Sequence, residues 1–271
     1  MIRRALTVAV LLAAPAAASS AGIPVTQQMT CPIGGERFSF SSTASYSTWG
    51  ARPDGKPFGS WEFPLELPVC PGNGLVVYAE FSDAEKARLR PLIATDDYRA
   101  LGRNGETSYY RAYWLMKRTD APAPNTLWML VQASWQAEGE PERRRRYLEE
   151  LVAEAPSLGE PRDDVGLAIR ARVINALREL GRFDEALAML AATPVDAIAP
   201  ESSTVRSTAD WRGHYRSLRR LLDRRDASIE PLDMIPWREG RPRCEGEAAA
   251  SLDAAQQALC RELIAAAASP S

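Results

Sequence analysis

The chain has 271 residues, with 33 Lys and Arg against 35 Asp and Glu, a formal net charge of −2. A slightly acidic balance argues against nonspecific nucleic-acid binding, which needs a basic footprint. One histidine, His214, leaves a catalyst to rely on carboxylates.

Residues 1–21 have the pattern of a signal peptide. Arg3 and Arg4 form a charged start, residues 5–14 an apolar run, and residues 16–21 a small-residue cleavage zone without cysteine. The apolar run is too short to span a bilayer stably. The pattern therefore predicts general secretory export, a periplasmic or secreted protein, and no stable membrane insertion after cleavage. Cleavage removes two Arg and no acid, so 31 basic groups face 35 acidic ones, a net charge of −4. Only Lys56, Lys86 and Lys117 are lysines. With abundant Ala and Pro, that Arg excess looks like coding bias rather than a binding signal.

Residues 22–80 form the next segment. Cys31-Pro-Ile-Gly-Gly35 and Cys70-Pro-Gly-Asn-Gly74 are two copies of one turn. Each resembles Cys-Pro-x-Cys-Gly, the knuckle that grips zinc in zinc ribbons, with Gly34 and Asn73 in the second cysteine's place. Two thiols without a neighbouring His cannot complete a structural zinc site, so no metal and no cofactor is expected. Two such turns can still place Cys31 beside Cys70, and an oxidising compartment would join them. A plain disulfide with no zinc ancestry predicts the same bond. Between the cysteines, Arg37-Phe38-Ser39-Phe40 alternates, and short strands with long irregular loops are expected; Val76-Val77-Tyr78 is another β-prone run. Residues 41–57 are rich in Ser, Gly and aromatics, including Tyr46 and Trp49: either a ligand-facing loop or a surface excursion with its rings tucked in.

Residues 81–226 carry helix signals. Ser82-Asp-Ala-Glu85 is a capping box opening a helix to about Leu92. Asp96 or Asp97 starts a piece ending at Gly102. Thr107 or Ser108 starts another, whose Tyr109, Tyr110, Tyr113 and Trp114 fit core packing better than a stacking groove. Asn125 can cap the helix that carries Trp128 and Trp135. The run Arg143 to Arg146 could bind phosphate or an acidic partner, but Glu142 with Arg146, Arg145 with Glu149 and Arg146 with Glu150 stand at i,i+4, which predicts a self-neutralised solvated face. Asp163 or Asp164 caps a helix lined by Ile169, Val173, Leu177 and Leu180. Gly181 follows as a C-terminal turn, and Phe183, Ala186, Leu187 and Leu190 begin a return helix that Pro194 ends. Thr208 or Asp210 can cap a helix with Trp211, Tyr215, Leu218 and Leu222 on one face and His214 beside it.

The run from Asn175 to Leu187 resembles the middle of a tetratricopeptide repeat, and Trp128-x2-Val131-Gln132-x2-Trp135 resembles its opening signature. Arg144 stands where that repeat wants a small Ala. The turn glycines Gly139 and Gly181 are 42 apart; the surplus over the repeat length falls in residues 156–163. Together with the two knuckles, these helices resemble a bacterial family of unknown function that usually keeps all four knuckle cysteines. The resemblance covers about residues 25–192 and implies architecture, not chemistry. The fold class expected is mainly α: antiparallel helix pairs stacked in a tetratricopeptide-like array behind a small irregular or β module.

Residues 227–271 read as a Pro-rich linker and an Ala-rich helix over 247–266. Cys244 and Cys260 cannot bond along one straight helix of that span; the bond needs the helix to start near Ser251. Four cysteines allow three pairings, and locality favours 31–70 and 244–260. The function expected is a noncatalytic, protein-binding helical scaffold, since stacked pairs offer an extended concave surface. The alternative is a cell-envelope hydrolase with a site in the aromatic-rich loops. No Gly-x-Ser-x-Gly, His-Glu-x-x-His, phosphate loop or Cys-x-x-Cys occurs.

Overall fold

The computed structural model describes residues 22–198 and 208–268. The expected signal peptide lies outside them, as do the side chains of Thr208 and Asp210. The protein is mainly helical behind a small strand module.

The module opens with a hairpin: β1 (Ile23–Thr30) pairs antiparallel with β2 (Arg37–Ser45). A second pair, β3 (Thr48–Ala51) and β4 (Pro57–Gly59), follows. The strands are longer, and begin earlier, than the alternation around Phe38 implies. The Val76 run makes only an isolated bridge to Val69.

Seven helices come next: α1 (Asp83–Ala94), α2 (Asp96–Arg103), α3 (Ser108–Arg118), α4 (Ala123–Gln136), α5 (Pro141–Glu154), α6 (Asp164–Glu179) and α7 (Phe183–Ala192). The expected capping box opens α1: Glu85 N–H donates to Ser82 Oγ at 3.3 Å, and Ser82 N–H to the Glu85 carboxylate at 2.8 Å. Asp163 caps α6 by accepting from Gly166 N–H at 2.8 Å. Gly181 turns the chain into α7 with φ of +75°, which a side chain would strain. Asn125 does not cap α4. The helix starts at Ala123, two residues earlier, because Pro124 is tolerated in a first turn, where its missing N–H would have no helical partner.

Alternate helices run parallel in two places. Tyr110 stacks on Tyr147, Tyr113 donates to Glu150 and Lys117 pairs with Glu154, so α3 and α5 lie side by side at a constant offset of 37 residues. The helix α8 (Thr208–Asp223) lies parallel to α6 in the same way: Tyr215 bonds Leu167 O, and Arg178 bonds Asp226 O, both 48 residues apart. An alternating array requires these parallel next-nearest neighbours. One apolar cluster fills the space among α3, α4, α5 and α6, and a second joins α6, α7 and α8. The helix α6 thus buries two sides, Ile169 and Val173 toward one cluster and Leu167 and Ile174 toward the other.

The C-terminal region holds α9 (Trp237–Gly240), α10 (Gly246–Ala250) and α11 (Ala254–Ala268). The single helix expected over 247–266 is broken. Asp253 and Gln256 form a capping box that restarts it, with Gln256 N–H donating to Asp253 Oδ1 at 2.8 Å. That break lets Cys244 reach Cys260. Among the described residues no helix is long and apolar enough to cross a membrane.

Candidate functional site

The two cysteine turns have the same backbone bonding. Cys31 N–H donates to Glu36 O and Gly35 N–H to Cys31 O; Cys70 N–H donates to Leu75 O and Gly74 N–H to Cys70 O. The turns face each other, and Cys31 is joined to Cys70 with Cα atoms 5.7 Å apart. The two positions without cysteine also meet. Asn73 Nδ2 donates to Ile33 O at 2.6 Å, and a Cβ at Gly34 would lie 3.4 Å from that nitrogen. The carboxamide of Asn73 thus bridges the knuckles, and its Oδ1 accepts from Leu75 N–H at 2.9 Å. Cys31 and Cys70 sink into a cluster with Leu89, Tyr98 and Leu115, which fixes the module to α1, α2 and α3. Among the described residues no group of His, Cys, Asp or Glu is placed to hold a metal ion.

From the first knuckle's hairpin to the second knuckle, the chain crosses the array as a strap, meeting its helices in reverse order. Pro53 O accepts from Arg172 of α6 at 2.7 Å. Lys56 pairs at 2.6 Å with Glu138 in the α4–α5 turn. Leu65 O accepts from Tyr109 of α3 at 2.8 Å, and Gly74 O from Tyr98 of α2 at 3.0 Å. Burial raises the Tyr98 hydroxyl above its ordinary pKa.

Beneath the strap lies an ionic network. Arg52, 6% exposed, holds Asp54 at 2.6 Å and also bonds Glu138. Burial works against the Arg52 charge, but Asp54 and Glu138 outweigh it and raise its pKa. Arg144 turns inward to Glu179 at 2.6 Å. Burial pushes the Glu179 carboxyl upward, against the pull of Arg144. The fully buried Arg178 donates to Asn175, Asp226 O and Ser228 O. Such networks are costly to bury and costly to break.

The four-Arg run is therefore not one solvated face. Only Arg145 makes its expected pair, with Glu149 at 3.1 Å. Arg143 pairs with Glu140, Arg144 is buried, and Arg146 reaches Glu106 before α3 at 2.6 Å. Glu150 accepts instead from Tyr110 and Tyr113.

Between the hairpin and the near end of α3 and α4 lies an open cleft of 1520 Å³. Trp49, Trp61, Phe63 and Trp135 line it, with Glu62 and Glu66 at its edge. Trp49 donates to Glu239 at 2.7 Å, and the Arg238 guanidinium stacks on its ring at 4.0 Å, so the C-terminal region closes one end.

No family model matches the chain, nor does any curated protein or solved structure.

Of the sequence-predicted residues, Cys31 with Cys70 and Cys244 with Cys260 are paired as locality favours, the second with Cα atoms 5.3 Å apart. Two disulfides are consistent with a non-cytoplasmic setting. Trp49 lies at the cleft, while Tyr46 packs edge-on against Phe63, 5.1 Å between centroids. His214 sits 3.4 Å from Arg172 and edge-on to Trp211, a packed position. Sequence reasoning missed the convergence of Trp61, Phe63 and Trp135, which no local spacing announces.

Proposed function

We propose that this chain is a noncatalytic exported protein, periplasmic or secreted, that binds another protein and uses its helix array as a rigid scaffold. The hairpin carries this reading. Each of β1 and β2 has only the other as a neighbour among the described residues, so both outer edges are open. The strand β1 has no charge, and all of it but Met29 is exposed, including Ile23 and Val25. Proteins ordinarily blunt such edges with charge, bulges or a covering element. Pro24 and the register shift beside it blunt only the start of β1; from Val25 to Thr30 the edge is uncharged, the template for strand addition, in which main-chain bonds supply affinity. The surface that repeats commonly offer is crossed in part by the chain's own strap, which directs a partner to the hairpin.

The test uses the mature protein as bait on cell-envelope extract, beside the double variant Val25→Lys/Gln27→Lys, at two exposed positions outside the side-chain bonds that join β1 to β2. The parent captures a partner that the variant holds about tenfold less tightly, with an unchanged helical circular-dichroism spectrum. Equal capture by both moves the partner off the edge, and no specific capture removes the reading.

A further inference from the structure

We infer that the cleft between the hairpin and the array is a binding site for an oligosaccharide of uncharged or amino sugars. This goes beyond the protein partner and does not depend on it.

The lining sets the chemistry. Trp49, Trp61, Phe63 and Trp135 line one cavity; Trp49 and Trp61 are half-buried, while Phe63 and Trp135 are buried and back the wall. Flat aromatic faces with polar tips suit a ligand that has both C–H faces and hydrogen-bonding edges, and a pyranose ring has both. The rest of the wall is mixed, with Pro24 and Pro64 beside Ser41, Gln136, Glu62 and Glu66. A lipid chain would leave the two carboxylates unmatched.

Charge narrows the class. The two cations at the cleft are engaged, Lys56 with Glu138 at 2.6 Å and Arg238 over Trp49. Glu62 and Glu66 are exposed and make no ion pair among the described residues. The field therefore rejects phosphate, nucleotide and acidic polymer, and accepts hydroxyl or ammonium donors.

Trp135 backs the wall from within the array. It is 4% exposed, and its indole Nε1 has no hydrogen-bond acceptor among the described residues. The ring lies in the apolar cluster beneath the cleft, edge-on to Trp128 with 5.6 Å between centroids, so it forms a firm floor under the two half-buried rings. Size sets the length: 1520 Å³ exceeds the roughly 300–1,000 Å³ of a drug-sized pocket, so several sugar units fit.

The experiment titrates the mature chain with cellohexaose and with the glucosamine hexamer, read by tryptophan fluorescence and calorimetry. Both saturate. Trp61→Ala, at a half-buried ring, weakens both about tenfold or more. Glu62→Gln/Glu66→Gln, at two exposed positions, weakens the glucosamine hexamer more than cellohexaose, and decides the matter if Trp61→Ala fails to fold. Absence of saturation by either sugar at millimolar concentration overturns the inference. So does a folded Trp61→Ala that binds like the parent, or a cleft that takes extended peptides and neither sugar.

Discussion

Removing each disulfide separately tests how the chain is closed. The bond Cys31–Cys70 spans 39 residues and Cys244–Cys260 spans 16. In the chain-entropy treatment those spans correspond to losses of roughly 3.9 and roughly 3.1 kcal/mol at 25 °C when the bonds are removed. Burial strengthens the order, because Cys70 is wholly buried and Cys31 is 2% exposed, against 7% and 4% for Cys244 and Cys260. Cys31→Ala/Cys70→Ala also trims atoms from the cluster around Leu89 and Tyr98, and Cys244→Ala/Cys260→Ala trims a smaller one. The assay is equilibrium unfolding in guanidinium for both variants and the parent, with the slope compared as well as the midpoint. A steeper slope in the variants reports the unfolded chain opening once its loop is released. The first variant should lose more than the second. If the order reverses, loop entropy is not what these bonds control, and the reasoning fails.

Three further outcomes follow from other contacts. Burial is the largest cause raising the hydroxyl pKa of seven tyrosines, with Tyr78, Tyr109 and Tyr147 pushed up to about 12. The unfolded chain then holds fewer tyrosine protons than the folded one from about pH 10 upward. Stability is whole below that range and falls as pH rises through 12, so tyrosinate absorbance and loss of helix should appear together; early titration of all tyrosines in a folded protein contradicts this. Ser82→Ala removes the side-chain half of the α1 capping box and should cost about 1 kcal/mol in thermal or chemical unfolding. Arg178→Met leaves Asp226 O and Ser228 O without their donor and should cost about 3 kcal/mol; Arg178→Lys should recover little, because an ammonium cannot match the fork that also reaches Asn175. A near-neutral Arg178→Met would show that those carbonyls find other donors.

What the sequence discloses here is what neighbours in the chain decide. The knuckles are five-residue turns, the caps at Ser82 and Asp163 act within three residues, and Gly181 is dictated by its own φ. The strand β1 escapes notice because it is polar and exposed. It is held by pairing with β2, where Thr26 meets Ser41 at 3.0 Å and Gln28 meets Ser39 at 2.7 Å, not by an apolar face of its own. The restart at Asp253 is a local signal hidden in a run of alanines. Arg144 is harder. Four consecutive arginines give no hint of which one turns inward; Glu179, 35 residues away, decides it. The cleft is harder still, since residues from β3, β4, the following loop and α4 meet only once the strap is seated.

The contact between Trp49 and Glu239 joins residues 190 positions apart. A chain delivered amino end first, by a ribosome or through a translocation pore, presents Trp49 long before its acceptor exists. The same delay applies to Pro53, which waits for Arg172, and to Arg52, which waits for Glu138. The strap around Trp49 to Pro53 therefore acquires its complete set of neighbours only after α4, α6 and the C-terminal region have been made. Until then it offers an open strand edge and several unburied rings to whatever surrounds it. Contacts of such high sequence separation are the kind that close late, because the intervening chain must be ordered before they reward it.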